Sequence, residues 1–380
     1  MSTRRLVAFG VLCAAVTGPV PMAGQQVNVR TAAMFESYTF DAGLPFKKVS
    51  EFTVPVTITY QLGRFGSIAV SSGYASVDLN SADTDQLPNQ TLSGLLDTEA
   101  RLTVNVIPGR LVALFTGAIP TGVGTVAFEE LSVLGAISSD VIGFSTNDFG
   151  MGGSVGGGFA GAVPLGRMAV GFGGTFKRPI SYSPVAGQPQ NLRPGSELRL
   201  RTGIQGPLAR RTYLRAAAIF SQRQKDQIDG VTQNGVGNRF TGYLSVDQGI
   251  GSKQLTVYVF DVFRANPQIE QTAVGAAFLP RGNLVGVGGE LSIPLGFTTS
   301  IVPKFEFRHS VAAPDTVNTS IGDFQKLGSS VRIGADFRAR ATQRLAVVFH
   351  ADGLTGSVRE SGNDIGLQGF RATLHLELMY

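Results

Sequence analysis

The sequence predicts an all-β protein, a transmembrane antiparallel up-and-down β-barrel of sixteen strands with one helical loop. Three observations lead to this prediction. Charged residues make up only 16% of the 380 residues, against roughly 25% in an average soluble domain. The 43% of apolar residues are dispersed, and after residue 25 there is no run of about 18 apolar residues such as a membrane helix needs. Within the proposed strands, charges stand at alternate positions, so each strand has one apolar and one polar face.

Residues 1–25 have the pattern of a secretory signal peptide. Arg4 and Arg5 precede an apolar stretch, and small residues with proline follow it. The single cysteine, Cys13, lies in this segment, so the mature chain is expected to have no disulfide. Without the two arginines, 30 positive residues remain against 27 negative ones, a net charge of +3. That small excess, without a basic cluster, gives no reason to expect a nucleic-acid partner.

The mature chain, residues 26–380, is predicted to be one barrel. The last strand shows the alternation most clearly, since Phe370, Ala372 and Leu374 share a face opposite Arg371 and Thr373. The sixteen predicted strands are 27–40, 49–62, 66–79, 94–107, 111–119, 152–164, 167–182, 195–206, 211–222, 237–248, 252–264, 283–294, 297–310, 326–341, 344–357 and 364–380.

The connections between these strands alternate between short turns and longer polar loops. Tight turns such as Pro108-Gly109-Arg110 and Gly206-Pro207-Leu208 are followed by loops such as 183–194. This asymmetry is typical of transmembrane barrels, and the even strand number places both termini at the rim with short turns. The strands at 111–119 and 283–294 have the weakest patterns, so fourteen strands are the alternative. A change of phase near Asp261 predicts a bulge in strand 252–264.

A soluble β-sandwich would also show alternation, but three features favour a membrane barrel. The pattern runs evenly from one terminus to the other, as expected of a closed barrel, which leaves no strand edge unsatisfied in lipid. The predicted strands mostly exceed the 9–11 residues that are needed to cross a bilayer. The signal-like segment supplies an export route. We therefore expect the chain in the cell outer membrane, in contact with outer-membrane lipid.

The carboxy-terminal strand carries a family resemblance. With Leu374, Leu376 and Leu378 on one face and Tyr380 at its end, it resembles the terminal signal of Gram-negative outer-membrane proteins. The resemblance implies that the barrel-assembly machinery is a partner of this chain.

If the apolar faces meet lipid, the charged positions of the strands line the interior. Opposite charges on neighbouring strands could form a structural ladder, or they could line an aqueous path, as in barrels of sixteen or more strands. The excess of arginine between residues 332 and 340 would favour anionic solutes. The predicted lumen-lining residues are Glu99, Arg101, Glu197, Arg199, Arg201, Arg239, Lys304, Glu306, Arg308, Arg332, Asp336, Arg338 and Arg340.

The connection at residues 120–151 differs from the others because it is long and apolar. Leu131, Leu134 and Ile137 recur at helical spacing after two acidic residues, and Val141 and Phe144 follow. Loops of this length are usually functional. We expect this loop to pack at the mouth or to fold into the barrel, as a constriction, gate or hydrophobic docking surface. The alternative is a helix that caps the outer rim.

The segment around this loop resembles outer-membrane transporters of the long-chain fatty acid (FadL-like) type. The likeness lies in Pro120-Thr121-Gly122, Glu129-Glu130-Leu131, Gly152–Gly158 and Pro164-Leu165-Gly166. That family has fourteen strands and an amino-terminal hatch with an Asn-Pro-Ala motif, which this sequence lacks after the signal-like segment. A general porin is similar in strand number and has its constricting loop at a comparable position.

These patterns predict passive transport of small molecules, hydrophobic or amphipathic ones first because the long loop is apolar. A porin for polar or anionic solutes is the alternative, and a structural barrel is a third possibility. An outer-membrane hydrolase would rest on His350 and Asp352, which share a strand face. No catalytic residue or cofactor is predicted, and the sequence shows no metal-binding cluster. Gly152–Gly158 is not expected to bind phosphate, because it lacks the Lys-Ser/Thr of a nucleotide site.

Overall fold

The computed structural model describes residues 27–83, 88–146, 149–188, 190–265, 268, 270, 281–313, 325–360 and 362–379. The predicted signal peptide with Cys13, and Tyr380 of the predicted assembly signal, lie outside these residues. Across the described ranges, no helix is long and apolar enough to span a membrane.

The described residues form a closed, antiparallel, up-and-down barrel of sixteen strands. The strands are β1 (Val27–Phe40), β2 (Phe46–Gln61), β3 (Gly66–Ser81), β4 (in two segments, Gln90–Leu95 and Thr98–Ile107), β5 (Leu111–Ile119), β6 (Ser154–Leu165), β7 (Met168–Pro179), β8 (Glu197–Ala209), β9 (Thr212–Arg223), β10 (Arg239–Ile250), β11 (Lys253–Arg264), β12 (Arg281–Pro294), β13 (Thr299–Ala313), β14 (Gln325–Arg340), β15 (Leu345–Glu360) and β16 (Asn363–Met379).

The barrel closes between its first and last strands. Thr31 of β1 lies opposite Val56 of β2 on one side and Leu376 of β16 on the other. Closure provides hydrogen-bond partners for the backbone groups at the edges of the first and last strands, because a bilayer has no water to bind them. The predicted all-β barrel of sixteen strands is confirmed, and the alternative of fourteen is wrong because Leu111–Ile119 and Arg281–Pro294 both form strands.

The outward side chains form an apolar belt around the barrel. Large hydrophobic groups on this face are well exposed, for example Phe159, Phe240 and Phe349 at 48–50%. Monomeric soluble proteins rarely expose contiguous apolar surface on this scale, whereas lipid-facing strands require it. The period-two pattern of the sequence therefore places its apolar face toward lipid.

Three details of the strands differ from the predictions. Gly206-Pro207-Leu208 is not a turn, because β8 continues to Ala209 and the chain turns at Arg210 and Arg211; a proline at a strand end removes only one ladder hydrogen bond. The bulge predicted near Asp261 does not form, since β11 pairs in unbroken register with β10 and β12. Asp261 consequently points outward with the apolar residues. The predicted strand 94–107 starts earlier, at Gln90, and is interrupted at Leu96 and Asp97.

The loop between β5 and β6 contains the helix α1 (Leu131–Ile137). Three two-residue strands, Leu192–Arg193, Gln227–Ile228 and Val231–Thr232, form a small sheet between two other long loops at the same end of the barrel.

Candidate functional site

The long loop between β5 and β6 folds into the barrel and packs against the inner wall of β1–β4. Inward apolar side chains of these strands and apolar side chains of the loop form one buried cluster. Within it, the rings of Phe144 and Tyr38 meet edge to face with centroids 5.1 Å apart. The wall contributes Tyr38, Val49, Ala75, Val77, Leu79 and Leu92 together with Leu354 and Leu367 of β15 and β16, and the loop contributes Val126, Val133, Ala136, Ile137, Ile142, Phe144 and Phe149.

Hydrogen bonds from the adjoining part of the wall, β14 and β16, hold the backbone of residues 141–143. The hydroxyl of Ser330 donates to the Val141 carbonyl at 2.8 Å, and Arg332 donates to the Ile142 carbonyl at 2.9 Å. Arg371 donates to the carbonyl of Gly143 at 2.7 Å. Three successive carbonyls are thus bound by β14 and β16, which places this segment deep inside the barrel.

Two buried carboxylates on β1 and β2 hold the next residues of the loop. Glu36 accepts a hydrogen bond from the Ser145 amide at 2.7 Å, and Glu51 accepts one from the Thr146 amide at 2.8 Å. The two glutamates lie directly opposite each other in register and are each 1% exposed. Like charges at these two positions would repel each other. Arg371, 2.8 Å from Glu36, compensates that carboxylate, whereas Glu51 accepts hydrogen bonds from the neutral donors Thr53 and Thr146.

The two ends of the loop are joined by one carboxylate. Asp97, in the interruption of β4, accepts hydrogen bonds at 3.0 Å from the amides of Gly122 and Met151. A Cβ on Gly122 would lie 2.3 Å from the Phe149 carbonyl oxygen, so only glycine allows this close approach. The break in β4 therefore ties the entry and exit of the loop together.

The predicted gate residues lie mainly against the wall. Ile137, Val141 and Phe144 are buried, Leu134 is partly buried, and Leu131 is 37% exposed. Sequence analysis left open whether this loop packs at the mouth, enters the barrel or caps the rim. The structure places it in the interior, with most of its apolar side chains turned away from the free space.

By register, all thirteen predicted lumen-lining residues stand on the inward face of their strands. They fall into two groups. Those on β13 and β14, apart from Arg340, form a dense set of ion pairs with other described residues. Those on β8 and β10 line the part of the lumen that the loop leaves free, and Glu99 on β4 lines the cavity between the loop and the wall.

The ion pairs beside the loop are largely buried. Arg332 lies 3.1 Å from Asp352, and both Lys304 and Arg338 lie 2.8 Å from Asp336. The carboxylates of Asp336 and Asp352 are only 4% and 2% exposed. Because each buried charge is paired, this network is a structural ladder of the kind that the cross-strand rule predicts.

His350 belongs to this ladder. Its Nδ1 is 2.7 Å from Asp336 and its Nε2 is 2.5 Å from Asp352. With both ring nitrogens engaged by carboxylates, neither is free to accept a proton from a substrate. The geometry of the His350–Asp352 pair therefore gives no support to the hydrolase hypothesis.

The free part of the lumen runs along β6–β11. A cavity between the loop and the wall is lined by Ser145, Lys177, Glu197 and Arg223 among others. A second one beside it is lined by Arg199, Arg223, Arg239 and Arg264 among others. These side chains are hydrated, with Arg199 43% and Glu197 29% exposed. The space left by the loop is thus polar and rich in arginine.

Several interior residues were missed by sequence reasoning, namely Glu36, Glu51, Asp97, Asp140 and Gly143. The alternation in β1 puts Glu36 on the polar face, so period two alone could have identified it. Nothing local marks Asp97 or Gly143, because their partners are distant in sequence. No group of three or more metal-ligating side chains that could hold a metal ion occurs in the described residues.

Comparisons with known proteins give structural neighbours only. No protein-family model matches the chain, and no curated protein matches it in sequence. A bacterial polysaccharide outer-membrane secretin is 8% identical over 94% of this chain and 98% of its own, with a TM-score of 0.49. OccAB3 of Acinetobacter baumannii (9% identity, 94% and 100% covered, TM-score 0.48) and OprD of Pseudomonas aeruginosa (9%, 94% and 94%, TM-score 0.46) are similarly distant. We draw nothing about function from likenesses this remote.

Proposed function

We propose that this chain is an outer-membrane channel for the passive diffusion of small polar solutes. The observation that carries the proposal is the division of the lumen: the loop fills one side with packed apolar groups and leaves a hydrated, charged passage on the other. Barrels of sixteen strands are wide enough to contain such a passage. The lipid-facing belt and the signal-like segment support the outer membrane as its location.

The burial of the loop favours polar over hydrophobic cargo. The apolar sequence of the loop had favoured hydrophobic or amphipathic solutes. In the structure, Ile137, Ile142 and Phe144 are at most 9% exposed, so they are not available to bind a passing solute. The passage itself presents guanidinium, carboxylate and hydroxyl groups. For this reason the porin alternative fits the geometry better.

The terminal strand supports assembly in the same membrane. Leu374 and Leu376 face outward and are 41% and 37% exposed, and by register Leu378 shares their face. We propose that this face and Tyr380 are the segment that the barrel-assembly machinery binds.

Conductance measurements test the proposed function. The refolded protein, reconstituted into planar lipid bilayers in KCl, is expected to give steady openings, and proteoliposomes are expected to swell in small sugars. A barrel that is silent in salt, yet takes up a fluorescent fatty acid, would refute the polar channel and restore the hydrophobic transporter.

A further inference from the structure

We infer that the passage contains a binding site for oxyanions, the carboxylate or phosphate groups of small solutes, formed by an arc of arginines on β8–β11. This inference rests on the proposed function and adds to it a charge class for the solute. We call Arg199, Arg239 and Arg264 the arginine arc.

The strand register brings the arc together. Arg199 lies opposite Ser221, Ser221 opposite Arg239, and Arg239 opposite Arg264. These four residues therefore stand side by side on four consecutive strands, all facing inward. The arc lines a single cavity.

The arc lies next to the inserted loop. Arg264 forms an ion pair with Asp140, which immediately precedes the loop carbonyls that β14 and β16 hold. A solute that moves between loop and wall therefore passes the arc.

The charges of the arc are incompletely compensated. Arg199 pairs with Glu197 at 2.8 Å and Arg264 pairs with Asp140, whereas Arg239 forms no ion pair with any described residue. Like charges directly opposite in a sheet, as Arg239 and Arg264 are, destabilise it. An oxyanion bound between them would remove this repulsion.

Exposure separates the arc from the structural ladder on the other wall. Arg199 and Arg264 are 43% and 35% exposed, while Arg332 is 12% exposed. Exposed ion pairs are weak, so an incoming oxyanion can displace them, and guanidinium groups bind carboxylate or phosphate in a bidentate manner. The arginine excess at residues 332–340 predicted an anion preference there, but Arg332 and Arg338 form ion pairs with Asp352 and Asp336.

The test compares Arg239→Gln with Arg340→Gln. Arg340 also faces the lumen by register, forms no ion pair with any described residue, and lies at the opposite end of the barrel from the arc. Under a KCl gradient, the unmodified channel is expected to favour chloride. Arg239→Gln should lower the chloride-to-potassium permeability ratio about threefold or more, because the local potential sets ion occupancy, and Arg340→Gln should change it much less. Equal effects of the two substitutions on the permeability ratio would refute an oxyanion site at the arginine arc.

Direct binding separates the two proposals and the two kinds of oxyanion. Calorimetric titration of the detergent-solubilised barrel with succinate and with inorganic phosphate is expected to show binding of at least one, which Arg239→Gln abolishes. Binding of succinate alone identifies carboxylates, and binding of phosphate alone identifies phosphates. Normal conductance without binding of either would overturn the inference and leave the channel intact. Binding without conductance would instead refute the channel. Heat-modifiable electrophoretic migration verifies that each variant is folded.

Discussion

The buried carboxylate of Glu36 joins the wall of the barrel to the inserted loop, because it binds donors from both. It accepts hydrogen bonds from the Tyr38 hydroxyl at 2.7 Å, the Ser145 amide at 2.7 Å and Arg371 at 2.8 Å. Because the group is 1% exposed, its charge depends on these donors for the solvation that water would otherwise provide.

Glu36→Gln should therefore destabilise the barrel strongly. The substitution keeps the shape but leaves Arg371 without its closest carboxylate, and breaking a buried ion pair costs about 3 kcal/mol or more. Urea unfolding in lipid vesicles measures this cost. The double variant with Arg371→Met should recover part of it, since no unpaired guanidinium remains.

Glu377→Gln provides the matched control on the neighbouring strand. Glu377 pairs with Arg30 at 2.8 Å, but the two side chains are 33% and 66% exposed. Exposed pairs contribute at most about 1 kcal/mol, so this variant should unfold close to the unmodified protein. Equal losses at the two positions would show that Glu36 has no special role.

Sequence alone predicts the face of such residues but not their partners. The period of two puts Arg332 and Asp336 on the inward face, as the register shows. It cannot assign Glu36 to Arg371, because these residues are 335 positions apart and meet only when the last strand closes on the first.

The long loop is the element on which the passage depends. The sequence predicted a helix from the spacing of Leu131, Leu134 and Ile137, and α1 forms there. The course of residues 140–146 could not be predicted, because their backbone is held by side chains of β1, β2, β14 and β16. Local propensity has no information on such contacts.

Gly143→Ala should loosen the loop. Gly143 has a left-handed φ of 66°, which costs a residue with Cβ about 1–2 kcal/mol, and an added Cβ would displace the guanidinium group of Arg308. We expect a smaller and noisier single-channel current, because a loop segment that leaves the wall moves into the passage.

Gly135→Ala is the control within the same loop. Gly135 lies in α1, and an added Cβ there meets nothing within 4 Å. Alanine is also the better helix former, so the current should be unchanged. A Gly143→Ala channel that is indistinguishable from Gly135→Ala would contradict the anchoring of the loop.

The barrel as a whole is a single layer of strands with one face toward lipid and the other toward the lumen. Strand number, closure and the alternation of faces followed from the sequence because one physical rule, the period of two, acts along the entire chain. The misplaced turn at Gly206-Pro207-Leu208 shows the limit of this rule, since turn-forming residues also occur at strand ends.

The same substitution should have very different effects on stability at two adjacent residues, because one faces the lumen and the other faces lipid. In the middle of β9, Ala217 pairs with the lumen-facing Gly203 and Tyr243, while Ala218 faces outward. Arginine on the lipid face near the bilayer centre costs about 2–4 kcal/mol, so Ala218→Arg should lower stability in vesicles by that amount. Ala217→Arg, which reaches water, should cost far less. A larger loss of stability for Ala217→Arg than for Ala218→Arg would show that the two faces are assigned the wrong way round.

Solutes are proposed to pass between the inserted loop and the wall of β6–β11, and the chemical accessibility of one position on that wall tests this path. With Cys13 replaced by Ser, cysteine is introduced at Lys177, which lines the passage, or at its neighbour Phe176, which faces outward and is 48% exposed. A bulky methanethiosulfonate reagent is then added during single-channel recording. The current through Lys177→Cys is expected to fall by about half or more, since the pore radius limits conduction, and that through Phe176→Cys to stay constant. An unchanged current at Lys177→Cys, or an equal fall at both positions, would show that solutes do not take this path.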